Sequence, residues 1–154
     1  MELIEIFAGR TTAGEPVREE LPAQAIGDGT YELLASPGVA SNIAKGDVIR
    51  VLDASGSIEI IRRGGNVCVQ TYFSPYLESK DRQEIEANFL TRLTGSVDGE
   101  SDRNMCFSIP VGIGFSAIGN FFNNLTNKYS QVSWSYGNVY GEDGVTPLNW
   151  WIGG

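Results

Sequence analysis

Histidine is absent from all 154 residues, which narrows the chemistry open to this chain. Without it there is no Ser-His-Asp or Cys-His relay, no imidazole ligand for zinc and no general base of the commonest type. Carboxylate, lysine and tyrosine chemistry remain. The densest carboxylates are Asp98, Glu100 and Asp102, three acids in five residues. Several oxygens on one loop are what a hard cation needs, but the bidentate glutamate that closes an EF-hand is missing, so no metal is expected. The run reads as a solvated turn or as a patch that faces a partner. Glu142 and Asp143 form the second acidic cluster, and Trp150-Trp151 follow on a Gly-rich tail. Two adjacent tryptophans must either fold back onto the domain or anchor an interface. The tail has no other anchor, which favours folding back.

Three further motifs suggest chemistry that their surroundings do not support. Gly112-Ile-Gly114-Phe-Ser-Ala117 follows an expected strand and opens an expected helix, as a dinucleotide-binding turn does. The ribose-binding acid that should follow about twenty residues later is missing, because no carboxylate lies between Asp102 and Glu142. The glycines are read as a tight strand-to-helix turn, and no cofactor is expected. Arg62-Arg63 could fork onto an anion, yet in an acidic chain they more simply balance neighbours such as Glu59. Ser41 and Lys45 are four apart, where the serine–lysine hydrolase motif needs three. No catalytic residue is expected, and no two acids are paired in a defined way.

The elements that must position these residues change period halfway along the chain. Short strands are expected at Leu3 to Phe7, Tyr31 to Ala35, Asp47 to Leu52, Ile58 to Arg63 and Val67 to Phe73, with a polar turn over Gly9 to Pro16. Asp53-Ala54-Ser55-Gly56 and Gly64-Gly65-Asn66 supply hairpin turns. Helical spacing follows over Lys80 to Leu93, with Ile85, Phe89, Leu90 and Leu93 on one stripe, and again over Phe115 to Tyr129. Alternation returns at Arg103 to Val111 and Val132 to Tyr140. The expected fold is α+β in a single domain, 1–154. A small antiparallel barrel or meander (1–66) leads into a β-α-β-α-β layer of ferredoxin-like character (67–140) and a tail (141–154). Leu93, Phe107, Phe121, Phe122 and Trp134 should share one core, with both helices on the same face of the sheet.

Formal charge is −8, with 10 of the 19 acids and 6 of the 11 bases in residues 1–75, so the surplus is spread evenly. Nucleic acid and anionic membrane surfaces are poor partners for such a chain, because both need clustered Lys and Arg. The opening MELIEIFAG carries acids where a secretory signal carries bases, and no apolar run approaches the ~20 residues of a membrane helix. A cytoplasmic protein is expected, with Cys68 and Cys106 as reduced, half-buried thiols.

The stretch from Glu19 to Tyr72 carries a recognisable progression: Gly29, Tyr31 and Leu33, then Pro37, then Gly46-Asp47-Val48-Ile49, then Gly65 opening into Val67 and Val69. In this it resembles a bacterial family of domains of unknown function. The likeness extends more weakly through the Ile-Pro and Trp-x-Tyr strands, and the tail lies beyond it. The resemblance implies a bacterial origin. Small solitary domains of this kind are frequent among immunity proteins, and nuclease toxins are basic because their substrate is a polyanion. The expected function is therefore an immunity protein that binds and neutralises a basic toxin. Its contact residues would be Asp98, Glu100, Asp102, Glu142, Asp143, Trp150 and Trp151. The alternative is a small-molecule-binding or regulatory module using a crevice between the β-subdomain and the helical layer, marked by Tyr31, Tyr72 or Arg62.

Overall fold

The computed structural model describes residues 1–153. The first five strands, β1 (Glu2–Arg10), β2 (Pro16–Gly27), β3 (Thr30–Leu33), β4 (Val48–Val51) and β5 (Ile58–Arg62), form an antiparallel meander in chain order. Ile4 faces Leu21 and Ala23 faces Leu33 across the ladders, and these side chains, with Ile6, Ala40, Ile43 and Ile49, make the first core. The sheet curls until the Phe7 N–H donates to the Gly56 carbonyl at 3.0 Å. A Cβ on Gly56 would sit 2.8 Å from Phe7 N, and its φ is +87°, so this corner needs glycine.

The sequence reading misses β2 altogether. Its outward residues include Arg18 and Glu20, and its inward row is broken by Glu19, so no apolar alternation announces it. Glu19 is tolerated because its carboxylate accepts the N–H groups of Gly38, Val39 and Ala40 at 2.7, 3.1 and 2.8 Å. A side chain that looks like a breaker is thus the anchor for the segment between β3 and β4.

The second sheet contains β6 (Asn66–Phe73), β7 (Ser96–Glu100), β8 (Asn104–Pro110) and β9 (Val132–Tyr136), ordered β7-β8-β6-β9 with every neighbour antiparallel. Helix α1 (Ser79–Arg92) joins β6 to β7, and α2 (Phe115–Lys128) joins a 3₁₀ turn after β8 to β9. β7 is the second missed strand: residues read as an acidic loop pair with β8 instead, through a register shift between Val97 and Gly99. The layer is therefore β-α-β-β-α-β, one strand more than expected.

Both helices cover one face of this sheet. Phe107 and Phe122 are buried in the core, and Leu93, Phe121 and Trp134 pack against it. Leu90 departs from its expected stripe and is 55% exposed, because Ile85 and Phe89 centre the buried face of α1. The opposite face, whose two cysteines the sequence reading expects to be half-buried, is closed by the segment between β3 and β4. Gln70 Nε2 donates to the carbonyls of Pro37 and Ala40 at 3.1 and 2.8 Å, and Cys68 and Cys106 are both buried rather than half-buried. The two cysteines are free. Burial raises the Cys68 thiol well above its ordinary pKa and pushes Cys106 up to about 12. Native protein at pH 8 should label at least about a hundredfold more slowly than unfolded protein, which should report two thiols without reductant. Rapid labelling of the native chain would mean that the covering segment opens.

Candidate functional site

Two constellations bring polar residues together from distant parts of the chain. The first ties the covering segment to the second sheet. Asp98, on β7, accepts the Ser36 N–H at 2.7 Å, the Ser96 hydroxyl at 2.5 Å and the Ser108 hydroxyl. Ser36 Oγ lies 2.6 Å from Ser108 Oγ and accepts the Lys45 N–H at 2.9 Å. Every strong bond of this carboxylate is spent inside the fold, so Asp98 is a brace and not the solvated contact the sequence suggests.

The second constellation is a cleft of about 770 Å³ beside β9. Its lining comes from β9 and the residue after it (Trp134 to Gly137), from Ser41 and Asn42, and from a wall of Tyr140, Gly141, Glu142, Gly144 and Leu148. That wall is a hairpin closed by the Tyr140–Pro147 bridge and by the Gly141 N–H on the Thr146 carbonyl at 2.9 Å. Asp143 shapes its tip: the N–H groups of Val145 and Thr146 donate to it at 2.9 and 2.8 Å, and the Thr146 hydroxyl donates as well. The Thr146 hydroxyl, followed by these amides, holds the Asp143 carboxyl below its ordinary pKa. Glu142 is exposed on the same wall and is the one charged side chain lining the cleft. Burial raises the Tyr136 phenol above its ordinary pKa, so it stays neutral at pH 7.

Support for the cleft runs through residues that the sequence reading discounts. Asn42 has φ +74° and donates its N–H to the Gly137 carbonyl at 2.8 Å. Arg63 grips Asn42 through its carbonyl at 2.5 Å and its Oδ1 at 2.8 Å. Arg63 is held in turn by Asp47 at 3.4 Å and by the face of Trp150, 5.6 Å from the ring centroid. Arg63 thus braces a turn through Asp47, while Glu59 pairs with Arg50 at 2.8 Å. The adjoining Gly-Asp and Arg-Gly pairs were the available signal: Gly46 and Gly64 approach so closely that a Cβ on Gly64 would lie 2.4 Å from the Gly46 carbonyl carbon.

The expected contact residues do not form one surface. Glu100 and Asp102 are exposed and share Arg82 at 3.4 and 3.3 Å. Glu142 lines the cleft, while Asp143 is bonded within the tip of the same hairpin. Trp150 and Trp151 fold back: Trp150 Nε1 donates to the Asn138 carbonyl at 2.7 Å, and Trp151 packs edge-on to Phe115 at 4.9 Å. The crevice residues also separate, since Tyr72 and Arg62 are exposed and line none of the concavities described here. Among the described residues no group of three or more acids and cysteines is arranged to hold a metal ion, and no helix is long and apolar enough to cross a membrane.

Fold and site together define an α+β protein of two antiparallel sheets, five- and four-stranded, with a cleft that opens beside the edge strand β9. The chain belongs to the family described as Domain of unknown function (DUF4265), whose profile matches residues 19–134. That span holds Glu19, Asp47, Arg63 and Asp98 and stops before the cleft wall and the tryptophan pair. A solved structure described as a hypothetical protein from Neisseria gonorrhoeae shares the fold, with TM-score 0.64 and 13% identity over 88% of this chain and 93% of that one. A search of the curated proteins returns no match.

Proposed function

We propose that this protein is a binding protein for a basic partner, in its most concrete form a cytoplasmic immunity protein that neutralises a basic bacterial toxin. The observation that carries the reading is the cleft: aromatic in its lining, with Glu142 as its one charge, on a chain of net charge −8. Rings flanking a carboxylate suit a lysine or arginine side chain, whose stem packs on the aromatics while its head meets the acid. The overall negative field steers a cationic partner and disfavours nucleic acid. Asp98 drops out of the contact set, since its carboxylate is committed inside the fold. We also read the second sheet as a ferredoxin-like layer, a reading supported by its β-α-β-β-α-β order and its strand arrangement.

Co-expression with the product of the adjacent reading frame is the direct test. Cells should survive with this chain and die without it. Glu142→Lys should slow association by about three- to tenfold at low salt and leave the urea midpoint unchanged. Failure to bind or protect, together with saturable binding of a metabolite in the cleft, would replace this reading by a small-molecule-binding module. The cleft volume favours that second reading, since it lies within the roughly 300–1,000 Å³ of ligand pockets.

A further inference from the structure

The cleft lies beside β9, an edge strand of the four-stranded sheet with whose outer side no strand pairs among the described residues. The ladder phase is set by the Gly137 N–H, which donates to the Cys68 carbonyl at 2.8 Å, and by the Ser74 N–H on the Gln131 carbonyl at 2.9 Å. Antiparallel alternation then turns the backbone groups of Ser133 and Ser135 toward β6 and those of Trp134 and Tyr136 toward the open side. Free strand edges invite pairing, and proteins normally blunt them with charge, proline or a bulge. β1 carries Glu2 and Glu5, has an irregularity between Phe7 and Arg10, and bonds the Gly56 carbonyl. β5 carries Glu59 and Arg62, and β7 carries Asp98 and Glu100 with an irregular register. β9 reads Val-Ser-Trp-Ser-Tyr, uncharged and in unbroken register, and the cleft occupies the space beside it.

We infer that β9 accepts an added strand: an extended segment of a partner protein that pairs with the Trp134 and Tyr136 backbone and places a lysine or arginine on Glu142. This rests on the basic-partner reading and specifies its mode. Charge decides between the candidate occupants. A second copy of this chain would bring another Glu142 and another net charge of −8 to the same edge, and like charges disfavour that pairing. A cationic segment removes the conflict. The cleft beside β9 is lined by the hairpin residues Tyr140 and Glu142 as well as by Ser41 and Asn42, so an added segment would meet side chains as well as the strand edge.

The test selects a phage-displayed library of random short peptides on the full chain and measures amide exchange with the best synthetic peptide bound. Enriched peptides should carry Lys or Arg within an alternating apolar stretch. They should slow exchange at Trp134 and Tyr136 by at least about tenfold. Methylating alternate peptide nitrogens should abolish binding. Ser135→Lys, at an exposed position, should weaken binding by about tenfold with the urea midpoint unchanged, and Glu142→Gln by about fivefold. No enrichment, enrichment of acidic peptides, or binding that leaves those two amides unprotected would each overturn the inference. So would a dimer that Ser135→Lys disperses, because a second copy would then own the edge. The two readings fail separately. Toxin protection with Trp134 and Tyr136 still exchanging freely removes the strand mode alone, whereas an edge-bound basic peptide without protection removes only neutralisation.

Discussion

Replacing Phe122 by alanine should lower the unfolding free energy by about 3–5 kcal/mol, a substantial part of what a domain of this size has available. Phe122 is fully buried at the point where α2 meets the sheet. Its ring centroid lies 5.1 Å from that of Phe107, 5.0 Å from Phe121 and 5.5 Å from Trp134, with Phe89 at 6.3 Å. These rings are fixed on four different elements, α1, β8, α2 and β9, so none can relax into the vacated space without moving its element. The cavity cost therefore adds to the transfer cost in full. Leu90→Ala on the exposed side of α1 should shift stability by only about 0.5 kcal/mol or less. Urea titration of both variants measures the contrast. Equal losses would place the buried face of α1 or α2 elsewhere.

Asp47→Ala should cost a comparable amount, about 3–5 kcal/mol, because it removes one member of a buried ion pair. Asp47 is 1% exposed and Arg63 19%. The carboxylate accepts the Ala44 and Gly64 N–H groups at 3.0 and 2.8 Å, so its loss leaves two amides and a guanidinium without their partner. Arg63 also holds Asn42, so the same substitution should loosen one side of the cleft and weaken any ligand bound there. The pH dependence has a definite sign. Burial, opposed by the Gly64 and Ala44 amides and by Arg63, raises the Asp47 pKa above its ordinary 3.8. With the folded pKa raised, the folded state binds the proton more readily than the unfolded chain. The titrating contribution of Asp47 is present below about pH 3.8 and is lost as pH rises through the folded value. Asp47→Asn cannot titrate, so its stability deficit relative to the parent should shrink between about pH 3 and pH 6. A deficit that grows over that window would mean that the amides and Arg63 outweigh burial.

Much of the architecture is legible in local pattern. The alternation of Met105, Phe107 and Ile109 announces β8, and the 3.6-residue spacing of Ile118, Phe122 and Leu125 announces α2, because one buried face imposes one period on the residues that meet it. The same rule explains both missed strands. β2 and β7 have too few apolar residues in phase, since Glu19 and Asp98 turn their carboxylates onto backbone amides of the covering segment, and Asp98 also onto the hydroxyls of Ser96 and Ser108 in its own sheet. An acidic run in sequence cannot be told from a solvated loop when a donor that fixes it, as the Ser36 N–H fixes Asp98, lies 62 residues away.

The candidate site divides along the same line. Composition by itself determines that the protein is acidic and lacks imidazole chemistry, and the Gly-Asp and Gly-Gly punctuation locates its turns, because charge and backbone freedom are properties of single residues. Folding alone decides that Asp98 becomes a brace, that Arg63 links Asp47 to Asn42, which partners Trp150 and Trp151 meet when they fold back, and that Glu142 is the one charge lining the cleft beside β9. Those outcomes depend on which distant donor, ring or strand edge arrives next to each side chain, and that is set by packing between elements, to which no local pattern refers.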